Sequence, residues 1–431
     1  MNPFLTSQLH SWLRLSHLIT KISSASVYKL SVISLGLFVT SKMTCLLAII
    51  LFFVVPCAAL SFNVVDYGAK GDGQTDDSQA FLKAWQDVCD ATCQGTPSLL
   101  IPNGKTFMLQ PVKFMGPCKP ATINIQLEGT IIAPNSVEAW KWPNDDGKKD
   151  KWVQFSDIDG LVINGGGTID GQGAPWWKFK SATRPAALHF HKCGNLKLTG
   201  LTHRNSPMNH ISINECIGPH ISNLHIIAPA DSPNTDGIDI SRSSNVTVQN
   251  SRMETGDDCI AINDGTSFIN ISGVYCGPGH GISIGSLGKD GAHNTVEEVH
   301  VQNCTFNGTT NGARIKTWEG GSGHAKRVTF EDIILVNTEN PVIIDQQYDP
   351  NCYGLTQAVQ ISDVTYRNIR GTAACNCAIK LSCDSTIGCN GIVMENINIT
   401  AAHEEKIYAS CKNAQGICSS CIPNVPCLHE N

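Results

Sequence analysis

Ile238, Ile260 and Ile282 stand 22 residues apart, each inside a short apolar stretch (Gly237-Ile-Asp-Ile240, Cys259-Ile-Ala-Ile262, Gly281-Ile-Ser-Ile284), and this recurrence limits what the chain can fold into more than any other feature. The theme returns at Ala313–Lys316 and Pro341–Ile344, and from about residue 155 each β-branched run gives way to Gly, Asn and Asp. A second series interleaves with it, in which Asn195, Asn223, Asn245, Asn270 and Asn396 each open a short β-branched run. A period of roughly 20–30 residues built of strands without a helical rhythm signals a solenoid, in which each coil buries its apolar face only against its neighbours. Successive coils stack in parallel about 4.8 Å apart, and side-chain alternation leaves the outward residues free to carry chemistry. A propeller would need longer repeats with four strands per blade. The expectation is therefore an all-β solenoid over residues 61–410, with the five asparagines forming a ladder from coil to coil.

The flanks read differently. Between Asp76 and Cys89, the residues Ala80, Phe81, Ala84, Trp85 and Val88 follow helical spacing, with Asp77 or Ser78 as cap. A helix there would close the open end of the solenoid and protect its edge strands. The cysteine-rich stretch 411–431 is expected to close the other end. Residues 1–60 read as a leader: Lys42 and Met43 precede the apolar run Cys45–Val55, and Pro56-Cys57-Ala58-Ala59 follow as a cleavage region. The run is short for a membrane span. Either translation starts at Met43, or the whole leader, including the weaker apolar stretch Leu30–Val39, is real; a retained anchor is the third reading.

The 19 cysteines point to an oxidising compartment. Loss of Cys45 and Cys57 with the leader leaves 17, an odd number that requires a free thiol. Cys418-x-x-Cys421 lacks a second ligand pair at zinc-finger spacing. Sequons at Asn245, Asn270, Asn303, Asn307 and Asn398 agree with secretion. The formal net charge is −6, and no basic stripe is present, which argues against nucleic acid as a partner. A polyanionic ligand would have to be met by local cations.

Three segments place acids on consecutive coils: Ser232–Gly237 with Asp236, Gly256–Cys259 with Asp257 and Asp258, and Gly279-His280-Gly281. Stacking would bring these side chains together on one face, and later coils would add Arg314, Lys316 and Tyr348. Arg314 and Lys316 share a face because strand residues two apart point the same way. Singly, each has a structural reading: aspartate forms turns, and Arg-x-Lys decorates solvated strands. Together they suit glycoside hydrolysis, which needs one protonated and one ionised carboxyl. Like-charge crowding raises at least one carboxyl pKa. A calcium site is disfavoured, because the calcium-binding nonapeptide repeat is absent.

In that order, Asn234-Thr-Asp236, Gly256-Asp257-Asp258, Gly279-His280-Gly281 and Arg314-Ile-Lys316 resemble the four signature motifs of the polygalacturonases, glycoside hydrolase family 28, and Phe62–Gly73 resembles the opening of plant members. The resemblance covers about residues 61–400. It implies a right-handed parallel β-helix that hydrolyses α-1,4-linked galacturonan with inversion. It implies Asp257 as general acid, Asp236 and Asp258 as the pair that holds and activates water, and His280 as the group tuning the acid. Arg314 and Lys316 would grip a substrate carboxylate, with Asn234 and Tyr348 lining the cleft. No metal or cofactor is implied. The partner is pectin or polygalacturonate, and the protein is expected as a secreted monomer of the cell wall. One departure stands out: members often carry a Cys directly after the tyrosine, whereas Tyr348 is followed by Asp349-Pro350-Asn351-Cys352. Other readings are a rhamnogalacturonan or xylogalacturonan hydrolase, a calcium-dependent lyase on the same scaffold, and a non-catalytic wall-binding solenoid.

Overall fold

A computed structural model describes residues 60–92, 95–143, 149–348, 357–403 and 406–430. The leader readings at Met43 and Cys45–Ala59, and Cys352, lie outside the described residues. Ile238 pairs with Ile260 and Ile260 with Ile282, so the 22-residue spacing is one turn of a coil. The row continues to Ile211 on one side and to Ala313 and Val342 on the other. Because strand side chains alternate, Ile238, Ile240, Ile260, Ile262, Ile282 and Ile284 all point inward and are fully buried. Eleven parallel strands, from Val112–Met115 to Tyr408–Lys412, form one face. The other two sides of each coil pair in the same parallel fashion; Ser244–Gln249 and Arg252–Glu254 of one coil lie beside Thr266–Ser272 and Tyr275–Cys276 of the next. Parallel crossovers are right-handed almost without exception, and the chain is a parallel β-helix. Its core stacks like on like: Phe114, Phe155 and Phe190 lie in a column with centroids 4.8 and 5.4 Å apart.

The expected asparagine ladder divides between two corners. Asn195 and Asn245 occupy one, Asn223 and Asn396 the other, and Asn270 sits within the strand Thr266–Ser272. The first four have φ of +52 to +55°, the left-handed conformation that turns the chain and that Asn tolerates. Side-chain ladder bonds form at the second corner, where Asn396 Nδ2 donates to Asn368 Oδ1 and Asn368 Nδ2 to Asp332 Oδ1, both at 2.9 Å. Recurrence of asparagine before a strand therefore did not mean a shared column.

The helix spans Ser78–Asp90 and buries Ala80, Phe81, Ala84, Trp85 and Val88. Asp77 is the N-cap residue, as expected, but its side chain does not cap the helix. The Asp77 carboxylate accepts from the amides of Lys70 and Gly71, and Asp76 accepts from Ser78 N and Oγ. Trp85 lies edge-on to Phe114 and Phe155, and its indole N–H donates to Met115 O at 3.1 Å, so the helix covers the first rungs. Cys89–Cys118 fastens it. Trp85→Ala should cost about 3–5 kcal/mol of stability, the range for emptying a large buried site; a urea melt measures it.

The boundary expected at residue 411 falls inside the strand Tyr408–Lys412. Ala414–Ile422 pairs with Cys389–Ala401, so the tail adds rungs to the same sheets rather than forming a separate plug. Cys383–Cys389, Cys411–Cys427 and Cys418–Cys421 are disulfides, and Cys193, Cys216, Cys259, Cys276 and Cys304 are buried free thiols. Among the described residues no helix is long and apolar enough to cross a membrane.

Candidate active site

The acids sit where the chain turns into the eleven-stranded face. Asp236 precedes Ile238–Ser241, Asp257 and Asp258 precede Ile260–Ile262, and His280 precedes Ile282–Leu287. Gly237 N donates to Asp258 O at 2.9 Å and His280 N to Asp257 O at 2.8 Å, which fixes these turns rung on rung. The glycines of Gly279-His280-Gly281 have a steric cause. Gly281 has φ +77°, and a Cβ there would stand 2.1 Å from Asn311 O.

Asp258 is 1% exposed and fully engaged. Arg314 Nη2 (2.6 Å) and Ser283 Oγ (2.8 Å) donate to its Oδ1, and Lys316 Nζ (2.8 Å) donates to its Oδ2. Arg314 Nε also donates to Ser283 Oγ at 2.8 Å. Register explains the meeting, since Ser283 pairs directly with Arg314 on the next strand. Arg314 and Lys316 are themselves 8% and 7% exposed and pair with Asp258 within the protein, the kind of partners that a buried carboxylate requires.

Asp257 Oδ1 lies 2.9 Å from His280 Nδ1 and accepts from Asp258 N at 2.8 Å. Asn234, in the left-handed conformation at φ +54°, donates from Nδ2 to Asp257 Oδ2 at 3.4 Å. Burial pushes the Asp257 carboxyl up, but the His280 hydrogen bond and charge, the Asp258 amide and Lys316 outweigh it, and the group rests below its ordinary value. Arg184, which sequence reasoning missed, donates to Asn234 Oδ1 and to the carbonyls of Pro207 (3.0 Å) and Pro233 (2.6 Å).

Asp236 is held well above the usual carboxylate range by burial first, with Asp239, Asp257 and Asp258 adding and Lys316 opposing. Asp239 was also missed. Ile238 and Ile240 point inward, so Asp239 faces out beside the cluster, a position the alternation already implied. Burial, then Asp258 and Asp257, raise it to about 7. In the folded protein Asp239 keeps a proton that the unfolded chain releases near pH 4. Its contribution to stability is therefore full at acid pH and is lost as pH rises from about 4 through about 7. Asp239→Asn should match the wild type near pH 4 and gain in melting temperature relative to it above pH 7, as a thermal scan across pH would show.

Tyr348 is 40% exposed, and its ring lies 5.3 Å from Lys316 Nζ and edge-on to Trp318 at 5.9 Å. It thus reaches the same neighbourhood, while the residues after it lie outside the described ones. On the opposite side, a groove of about 610 Å³ runs toward the N-terminal rungs, lined by Lys113, Lys151, His189, His191 and Arg242, with Arg184 also at its wall. Asp257, Asp258 and His280 each offer a potential ligand atom within 4.8 Å of the others. Arg314 and Lys316 already occupy both Asp258 oxygens, and their charge opposes a cation there.

The model of the glycosyl hydrolases family 28 matches residues 91–421. An Arabidopsis thaliana protein named as a probable polygalacturonase is 49% identical over 396 residues, covering 90% of this chain and 85% of its own. Polygalacturonase QRT2 of the same plant is 41% identical over 82% of each chain. A polygalacturonase of Persea americana is also 41% identical, over 82% of this chain and 77% of its own. Among solved structures, the endo-xylogalacturonan hydrolase of Aspergillus tubingensis aligns with a TM-score of 0.70 at 25% identity, over 82% of this chain and 96% of that one. The polygalacturonase of Erwinia carotovora shares the fold, with a TM-score of 0.64 at 23% identity, over 83% of this chain and 97% of that one. With its acids on adjacent rungs of a parallel β-helix, this chain belongs to glycosyl hydrolases family 28 and is a glycoside hydrolase.

Proposed function

We propose that the protein hydrolyses α-1,4 bonds between galacturonate residues of homogalacturonan, with inversion, and acts as a secreted monomer in the cell wall. The observation that carries this is the gathering of Asp236, Asp257 and Asp258 beside Lys316 and Arg314, with a groove nearby that carries Lys113, Lys151, Arg184 and Arg242 as well as Asp150 and Glu215. Asp257 serves as the general acid, with His280 tuning it. It gives its proton to the glycosidic oxygen as the bond to the anomeric carbon breaks. Water attacks that carbon from the other side and passes a proton to Asp236, while Asp258 orients the water. Lys316 has two N–H groups beyond the one on Asp258, and with Tyr348 and the groove residues Lys113, Lys151 and Arg242 it meets the uronate carboxylates.

These roles require a proton transfer before each turnover. One turnover of this kind ends with Asp236 protonated and Asp257 ionised, which is the distribution the free site favours. The carboxyls titrate as a coupled group, and return of one proton from Asp236 to Asp257 readies the site again.

Incubation with de-esterified polygalacturonate should yield new reducing ends without ultraviolet-absorbing unsaturated products, and proton NMR should see the β-anomer first. An absorbing product, or no reducing ends, would sink the reading. A product ladder would mean internal cleavage and monomer alone would mean terminal cleavage. Because a structural relative is named for xylogalacturonan, that polymer belongs in the same assay, and faster turnover on it would transfer the proposal to the branched substrate.

A further inference from the structure

We propose that Arg184 is a positioning residue that fixes which end of the Asn234 amide faces Asp257, and thereby how readily Asp257 carries its proton. The inference rests on the hydrolase reading above. Arg184 is 3% exposed and comes from the chain just before the strand Ala186–His191, two rungs away from Asn234 and three from Asp257. Its Nη1 donates to Pro207 O at 3.0 Å and Pro233 O at 2.6 Å, one carbonyl on each of two successive turns, so the guanidinium has a single fixed placement. Its Nη2 reaches Asn234 Oδ1. A guanidinium has only donors, so it can accept only the oxygen end of the amide. The Asn234 nitrogen is then forced toward Asp257 Oδ2, where it lies at 3.4 Å.

That orientation has a chemical consequence. An amide N–H facing a carboxylate favours the ionised form, whereas an amide oxygen would accept from the protonated form. Arg184 thus keeps the Asn234 oxygen from accepting the proton of Asp257, so that this proton remains available to a leaving group. The fixed turn also holds Asn234 and Asp236, two residues apart, in one arrangement. Burying a guanidinium is costly, and Nε has no partner among the described residues. Burial lowers its pKa, and the charges of Asp236 and Asp257 oppose this. The other groups facing Asp257 are His280, Asp258, Asp236, Asp239 and Lys316. None of them touches the Asn234 amide oxygen, so none can substitute for Arg184 in setting its direction.

The test compares Arg184→Met, Arg184→Lys, Asn234→Ala and the double variant Arg184→Met/Asn234→Ala, with melting temperatures as the folding control. In Arg184→Met, kcat on polygalacturonate should fall roughly 10–100-fold with KM changed by less than about threefold. The alkaline limb of its kcat/KM profile should move up by about half to one pH unit. Arg184→Lys, which keeps a donor and a charge, should recover part of both effects and supplies the comparison if Arg184→Met does not fold. On the Asn234→Ala background the Arg184 substitution should add no further pH shift. The carboxyl ¹³C titration of Asp257, assigned by its loss in Asp257→Asn, reads the same shift without activity. An inactive wild type would count against the hydrolase reading, while the ¹³C titration would still judge the relay. An unchanged Asp257 titration in a folded Arg184 variant, or an undiminished Arg184 effect in the double variant, would overturn it.

Discussion

Asp257→Asn should release reducing ends from polygalacturonate at a rate about 10²–10⁴-fold below wild type, the span that a positioned general acid contributes, with the fold intact. Asparagine has nearly the same shape and keeps an acceptor for Asp258 N, now 2.8 Å from Asp257 Oδ1. The loss lies in the proton. An amide has none to give to the glycosidic oxygen, whatever the pH, so the rate should not recover on acidification. Binding of a short oligogalacturonate should persist or tighten slightly, because one negative charge has left a cleft that receives polyanions. Calorimetry with the oligomer and a reducing-end assay separate the two effects. Turnover near the wild-type rate would remove Asp257 from the acid role and shift attention to Asp236, whose carboxyl burial already holds well above the ordinary range.

Arg314→Ala acts on stability as well as rate. Asp258 is 1% exposed, and Arg314 supplies one of its two cations together with the Ser283 link. Removing one partner of a buried ion pair typically costs about 3–5 kcal/mol, because the other charge is stranded out of water. With Lys316 still on Oδ2 at 2.8 Å, the loss should fall toward the lower end of that range. A urea melt at neutral pH would register it. Catalysis should fall too, since an Asp258 displaced from its place no longer orients water. A variant that melts like the wild type but binds oligogalacturonate more weakly would restore the simpler view of Arg314 as a substrate clamp.

Much of this was legible in the chain itself. The spacing of Ile238, Ile260 and Ile282 is the length of one coil, so residues just upstream of each isoleucine had to stack. Asp236, Asp257, Asp258 and His280 followed from that alone. The apolar set of the helix Ser78–Asp90 was equally plain, because one buried face of a helix leaves a period in the sequence. Asp239 could have been read from the same alternation that placed Ile238 and Ile240 inside.

What the sequence determined was phase, which strand residues point in and which turns share an edge, because inward alternation and a constant coil length write themselves as a repeat. Only the tertiary structure decided partnership. Coil length changes after Ile282, with 31 residues separating it from its partner Ala313 and 29 separating Ala313 from Val342, so register there cannot be counted off. The asparagines fell on two corners for a related reason, since a coil turns more than once and one residue type serves every turn. Arg314 and Lys316 settled on Asp258, and Arg184 on Asn234, through the depth and reach of long side chains across rungs. Depth sets how much solvation a charge must replace, and it exists only once the rungs have stacked.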